Sequence, residues 1–463
     1  MNLLLRPFGA ALLTLPSLLG CGPSSSDAGT ARSMTSLDTN VDVDVSERHQ
    51  TLEGFGAAVA WYDNWLTDHP NKAEIYATIF KDLGLDLLRL RNRYRYQSEF
   101  AVESQEIVEQ GSLSLGRDLT VLMSSWSPPP ELKSSGLTDC TDQDSCTLLK
   151  GDSGFPYQAF ADYWSDSLDA YAELGIVPKF ISIQNEPDWH PNGWEGCVFS
   201  ATETEELPGY DRALEAVHAR LQERDTRPLL LGPETIGITR GKVQAYTDAM
   251  NLGLLDGIAH HLYDGSTWQS PDDFQLALQS LRATSLPVFQ TEFSAETPDG
   301  GAFETAWLIH NSLTQADAVA YVYWDLIWNW QGSSEGGLVA VEFPDMARWQ
   351  SERGYKTRGP YYSLRHFAKF TDPGWLRVGA TTSSDSLRVS AFVSPDQDAL
   401  TVVMLNVGNL RRDVHLNTGL QGFARAVYQS TDTESWQTLA PTEAEAIVLP
   451  ARSVTTVALT RGS

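Results

Sequence analysis

Two glutamates stand where short apolar runs end. Glu186 follows the run at residues 179–183 in Gln184-Asn185-Glu186-Pro187, and Glu292 follows the run at 287–290 in Thr291-Glu292-Phe293. Neither lies in a helical register that would pair it with a basic side chain. A carboxylic acid and a carboxylate facing one another can cleave a glycosidic bond. One protonates the leaving oxygen, and the other attacks the anomeric carbon or activates water to do so. That division of labour needs one carboxyl group still protonated near neutral pH and the other ionised, so the two must be held in unlike surroundings.

The elements that would hold them are legible as a series. Short apolar runs recur at residues 54–58, 87–90, 120–124, 179–183, 228–231, 257–259, 287–290 and 318–323. Runs of this length bounded by Gly or Pro suit strands buried on both faces. Amphipathic stretches such as 73–83 and 159–174 lie between them, and alternation of this kind implies a parallel sheet. Eight units predict an α/β fold, a (β/α)8 TIM barrel, whose functional residues belong at the C-terminal strand ends. The two glutamates then end strands four and seven. After Pro373-Gly374 the helical period gives way to alternating runs at 386–392, 399–405, 424–428 and 454–459, which predict an attached antiparallel β-sandwich. The alternating run at 40–45 is expected to add a strand to that sandwich. The expected divisions are 1–20, 21–37, 38–50, 51–372 for the barrel and 373–463 for the sandwich.

Residues 1–20 read as an export signal: Arg6 is the positive start, and a leucine-rich run too short to span a bilayer ends in Leu18-Leu19-Gly20-Cys21. This resembles a lipobox, with Cys21 as the lipidated residue and 21–37 as a Ser/Gly/Ala-rich tether. The expected location is the cell envelope, with membrane attachment only through that lipid, or secretion. Of the other cysteines, Cys140 and Cys146 flank a short polar loop and are the disulfide candidates, while Cys197 could instead pair with Cys140. An exported chain permits such bonds. With 33 Lys and Arg against 60 Asp and Glu, the net charge is −27. Such a chain is repelled by phosphate backbones, which argues against a nucleic-acid partner and leaves neutral polymers open.

Several motifs together make the chain similar to glycoside hydrolase family 30, in the clan A of barrel hydrolases. They are Glu53-Gly54-Phe55-Gly56, Arg89 within Leu88-Arg89-Leu90, Ser124-Ser125-Trp126-Ser127-Pro128-Pro129 with Leu132-Lys133 and Gly136, Asn185-Glu186-Pro187, His261-Leu262-Tyr263, Trp324-Asp325-Leu326, and Tyr362 through Phe370. The resemblance implies that Glu186 is the acid/base and Glu292 the nucleophile, and that anomeric configuration is retained. Carboxyl groups roughly 5–5.5 Å apart go with that outcome. Arg89 and Tyr263 are expected to keep Glu292 ionised, Asn185 to bond the sugar 2-hydroxyl, and His261 to act as a hydrogen-bonding neighbour of Tyr263.

Trp126 and Trp324 are candidate sugar platforms, with barrel-mouth packing as the alternative for each. Trp61, Trp65, Trp189, Trp194, Trp328, Trp330 and Tyr62 are candidates for more distant subsites. The expected substrate is a β-linked plant polysaccharide, foremost β-1,4-xylan, with β-1,6-glucan, β-1,6-galactan and glucosylceramide as alternatives. A non-catalytic glycan-binding lipoprotein is the alternative of another class. No cofactor is expected. His260 and His261 do not make a metal site with the spacings present, and a monomer is expected.

Overall fold

The computed structural model describes residues 36–97, 100–142, 144–264, 269–295, 301–329, 337–342, 354–440 and 446–462. The first element among the described residues is a long strand, β1 (Leu37–Thr51), and a closed barrel of eight parallel strands follows it. These are β2 (Gly54–Val59), β3 (Leu87–Arg91), β4 (Thr120–Ser124), β5 (Phe180–Ser182), β6 (Leu229–Thr235), β7 (Gly257–His261), β8 (Val288–Glu292) and β9 (Ala318–Tyr323). Neighbours in the chain are neighbours in the barrel, and β9 closes on β2 with Phe55 opposite Tyr321. Burial on both faces explains why the strands read as unbroken apolar runs.

The barrel interior is filled toward its floor by Leu87, Leu122, Phe180, Leu231, Ala259, Phe289 and Val322. Gly257 makes room there, because a Cβ would fall 2.7 Å from the Phe289 ring. Gly54 has φ +124°, and a Cβ on it would meet the Asp86 side chain at 2.7 Å. Only glycine takes that backbone beside that neighbour without strain.

Helices surround the barrel because their apolar faces have the helical period. In the helix Tyr157–Glu173, Phe160, Trp164, Leu168 and Tyr171 are buried against it. The stretch read as one amphipathic helix at 73–83 divides. An α-helical turn, Lys72–Tyr76, runs on as a π-helix, Ala77–Leu83. Side chains of the last barrel helix, Gly359–Ala368, and the residue after it satisfy carbonyls there: the Tyr361 hydroxyl donates to Thr78 O and Lys369 Nζ to Asp82 O. Carbonyls with outside partners tolerate the wider turn.

Beyond the barrel, β10 (Ile327–Asn329), β11 (Val339–Val341) and β12 (Tyr355–Thr357) make a small sheet after β9. The strands β13 (Leu376–Thr382), β14 (Leu387–Val393), β15 (Ala399–Asn406), β16 (Arg412–Asn417), β17 (Phe423–Thr431), β18 (Gln437–Leu439), β19 (Ile447–Leu449) and β20 (Ser453–Arg461) follow. With β1 they form one nine-stranded sheet in the order β18-β17-β20-β15-β14-β13-β1-β16-β19. It curls around a core that includes Val41, Val378, Val402, Val414 and Val457, the sandwich of the α/β barrel-plus-sandwich architecture. Pairing is antiparallel except between β1 and β16. Buried histidines fasten barrel helices to this sheet: His366 bonds the Thr456 and Ser430 hydroxyls, each at 2.8 Å, and His310 bonds Ser390 at 2.7 Å.

Candidate active site

Both glutamates open into one cavity of about 900 Å³ at the C-terminal ends of the barrel strands. Glu292 is the last residue of β8, and Glu186 stands just past β5. One carboxylate oxygen of each and a ring nitrogen of His261 all lie within 4.8 Å of one another. Glu186 has φ +47°, in the left-handed region. Strain of that kind persists where surrounding structure holds it, and here the Glu186 amide donates to the Glu234 carbonyl at 3.0 Å.

The two carboxyl groups sit in different electrostatic settings. Arg89, fully buried on β3, places Nη1 2.5 Å from Glu292 Oε2. The same guanidinium donates from Nη2 to Asn185 Oδ1 at 2.6 Å and from Nε to Ser124 Oγ at 3.2 Å. Glu186 is bonded instead through Oε1 to His261 Nδ1 at 2.8 Å. Burial pushes the Glu186 carboxyl up to about 7; the His261 bond and charge pull it back, and the Glu292 charge adds to the rise. Burial opposes charge on His261, but Glu292, Glu186 and Glu234 together raise it to about 9. An imidazolium in this setting donates from both nitrogens.

A third carboxylate, not foreseen from the sequence, underlies the pair. Glu234, on β6 with φ +62°, is wholly buried, with its Oε1 3.1 Å from Arg89 Nη2 and 3.2 Å from Ser124 Oγ. Against the cost of burial, Arg89 and then His261 hold it well below the usual carboxylate range. Three glutamates therefore share two cations, and Glu186 is the one placed to keep a proton. A signal for Glu234 existed in Pro233-Glu234-Thr235 after an apolar run, but the strand reading stopped at Leu231.

The other expected residues fall as follows. Tyr263 lines the cavity, its ring at a right angle to His261 and 6.0 Å from it. Burial, with Glu292 and Glu186 beside it, pushes its phenol well up. His261 does more than neighbour Tyr263, since its direct bond is to Glu186. Trp126 and Trp324 border the cavity yet are only 4% and 9% exposed. They pack edge-on against Trp61, each 5.6 Å away, and Arg89 lies 4.4 Å from the Trp126 ring. Trp61, Tyr62, Trp189, Trp194 and Trp328 line the same cavity, whereas Trp65 stacks on Tyr62. Cys140 and Cys146 are joined in a disulfide, and Cys197 is a buried thiol. Cys21 and Trp330 lie outside the described residues.

Residues 376–457 match the sequence model of the glycosyl hydrolase family 30 beta sandwich domain. Glucuronoxylanase XynC of Bacillus subtilis (strain 168) is 24% identical over 444 residues, covering 91% of this chain and 92% of that protein. The sandwich segment matches family 30, and the whole chain is similar to proteins with that family's barrel and sandwich. The family 30 subfamily 8 xylanase Xyn30A from Clostridium acetobutylicum has the same fold, with a TM-score of 0.68 at 23% identity over 91% of this chain and 99% of that one. The endo-β1,6-glucanase BT3312 also has it, with a TM-score of 0.68 at 17% identity over 94% of this chain and 96% of that one. The chain is a glycosidase, and retention of configuration is general in glycoside hydrolase family 30.

Proposed function

We propose that this glycosidase cleaves β-1,4-xylan with retention, with Glu292 as nucleophile and Glu186 as acid and then base. The observation that carries the reading is the unlike pair. Glu186 is held near a pKa of 7 by burial, while Glu292 lies against the Arg89 guanidinium, with oxygens of both within 4.8 Å. Facing oxygens that close fit the roughly 5–5.5 Å carboxyl separation of retaining enzymes, rather than the roughly 6.5–9.5 Å that leaves room for a water in inverting ones.

In the first step, Glu292 attacks the anomeric carbon while Glu186 gives its proton to the departing glycosidic oxygen. The leaving sugar departs as an alcohol, and a glycosyl ester forms on Glu292. Esterification removes the Glu292 charge, which lowers the proton affinity of Glu186 and suits it to take a proton from water. That water attacks the same carbon from the opposite face, Glu292 leaves as a carboxylate, and configuration is retained. Asn185, its oxygen fixed by Arg89, has its amide N–H groups to offer the sugar 2-hydroxyl. Trp61, Trp126, Trp189 and Trp324 supply flat apolar faces along the cavity.

Support for xylan comes from the named substrates of the glucuronoxylanase and xylanase relatives; the glucanase relative makes a β-1,6-linked polymer the alternative. Among the described residues no helix is long and apolar enough to cross a membrane. We propose an exported monomer anchored through lipid on Cys21.

Product analysis tests this reading. The purified protein would be incubated with glucuronoxylan, unbranched xylan, arabinoxylan, β-1,6-glucan, β-1,6-galactan and glucosylceramide, and the products identified by mass. Xylo-oligosaccharides are expected. Cleavage of a β-1,6-linked polymer with all xylans intact would overturn the substrate and keep the mechanism. Binding to a glycan without cleavage of any would leave a glycan-binding protein.

A further inference from the structure

Bond cleavage uses two of the three glutamates at the barrel mouth. Glu234 does not line the cavity, and its side chain is fully buried, so it cannot touch the sugar. It lies instead against both cations of the site. Its Oε1 is 3.1 Å from Arg89 Nη2 and 3.9 Å from His261 Nε2. Glu292 Oε2 stands at the same 3.9 Å from that nitrogen. His261 thus meets Glu186 at Nδ1 and both other glutamates at Nε2. Irregular backbone aims these groups. The β6–β7 register slips between Pro233 and Thr235, around Glu234, and the β7–β8 register slips between His260 and His261. Such slips turn side chains that a regular strand would send elsewhere.

The charged groups facing Glu234 and His261 are Arg89 on β3, Glu186 after β5 and Glu292 on β8. Asp188, which faces Glu186, is paired with Lys242 at 3.4 Å. Tyr210, on the helix Tyr210–Leu221, and Tyr263 keep their phenol protons, because burial and nearby carboxylates push them well up. Burial pushes His260 down to about 4, so it adds no charge at neutral pH. Burial opposes charge on Glu234 as well, but Arg89 and then His261 hold it down at about 2.

In the free enzyme Glu186 is protonated, and the two cations face Glu234 and Glu292. Once Glu292 carries the sugar as an ester, it bears no charge. Glu186 must then be a carboxylate to draw a proton from water. The acid nearest to it is His261 Nδ1 at 2.8 Å. A buried imidazolium that loses its counter-ions gives up its proton, and Glu186 would receive it and cease to be a base. We infer that Glu234 is a positioning residue for the second half of the reaction: ionised throughout, it keeps the proton on His261 after Glu292 has lost its charge, and so leaves Glu186 free to take a proton from water. The inference rests on the retaining mechanism above and not on the identity of the sugar.

The test replaces Glu292 with Gln, a neutral stand-in for the esterified carboxyl. His261 is followed by NMR in protein carrying isotope-labelled histidine, its signal assigned by its loss in His261→Gln. In Glu292→Gln, His261 should titrate above about pH 7, and adding Glu234→Gln should lower that midpoint by at least about one pH unit, a tenfold loss of proton affinity. A smaller drop, or a midpoint below about 7 in Glu292→Gln alone, overturns the inference. If Glu234→Gln does not fold, Glu186→Gln combined with Glu292→Gln leaves Glu234 as the one carboxylate against His261. A midpoint there above about 6.5, the value of a free imidazole, supports the inference, and one below it overturns it. Neither titration needs a substrate, so failure on xylan does not bear on them. The kinetic counterpart uses a dinitrophenyl xylobioside, whose good leaving group makes ester hydrolysis the slow step. Glu234→Gln should lower kcat at least about tenfold and kcat/KM by less than about threefold. An unchanged kcat, or an equal fall in both, overturns the inference. A wild type that leaves this glycoside intact counts against xylan alone.

Discussion

Replacing His261 with Gln should move the alkaline limb of the pH–rate profile upward. His261 Nδ1 lies 2.8 Å from Glu186 Oε1, and carboxylates around it hold its own pKa near 9 despite burial. It is therefore a cation at neutral pH, one that favours the ionised form of Glu186. Without that charge Glu186 keeps its proton to higher pH. At 2.8 Å and an effective dielectric of about 20, the gross attraction is roughly 6 kcal/mol. At about 1.4 kcal/mol per pKa unit, that caps the shift at about 4 units. Glu186 faces an open cleft, so a rise of about 1–3 units, the usual effect of one neighbouring charge, is the expected outcome. Gln can still donate an amide N–H to Glu186, which separates loss of charge from loss of the bond. The assay is kcat/KM on a natural oligosaccharide from pH 4 to 10, because an activated aryl glycoside needs little help from an acid. The wild-type limb should fall away near pH 7, the value to which burial pushes Glu186. A limb in His261→Gln that stays in place, or moves downward, would refute the assignment of Glu186 as the acid bonded to an imidazolium.

Other expectations follow from the same geometry. Glu292→Ala should lose at least about a hundredfold in kcat, and azide should restore turnover by giving a glycosyl azide of inverted configuration, seen by NMR. Glu186→Ala should slow substrates with poor leaving groups by about 10²–10⁴-fold and activated aryl glycosides far less. Gly54→Ala forces a Cβ against Asp86 at a backbone angle of +124°. It should cost about 1–3 kcal/mol in chemical denaturation, with kcat per folded molecule unchanged. Dialysis against EDTA should leave activity unaltered, since the proposed chemistry passes through two carboxylates; loss restored by a divalent ion would count against it.

How much of this could be read from the sequence depended on local pattern. The barrel strands were legible because each is a short apolar run, and Glu186 and Glu292 because each terminates one. Arg89 could be singled out as a charge inside such a run, but the sequence did not show that its guanidinium binds Glu292, Asn185, Ser124 and Glu234 together. Those partners come from four further stretches of chain, and only barrel closure joins them. Glu234 escaped notice because β6 extends past the apolar residues to Thr235. The π-helical turn at 77–83 depends on side chains almost three hundred residues later, which no window of sequence contains. Trp126 and Trp324 were left open between platform and packing, and they border the cavity while packing on Trp61, because a barrel mouth is both wall and core.

The position of β1 has a consequence for how the molecule is made. β1 lies inside the nine-stranded sheet, between β13 and β16, although synthesis separates it from both by the whole barrel. Once synthesised, β1 must wait for the last eighty or so residues before its edges are covered. An uncovered edge recruits other strands, and contacts this distant in sequence form slowly. The nascent chain therefore needs its edge shielded while the barrel is completed. A C-terminal fragment that begins after the barrel would carry the opposite defect: β13 and β16 would face a gap one strand wide. Expressed alone, that fragment should aggregate, and supplying residues 37–51 in trans as a peptide should return it to solution.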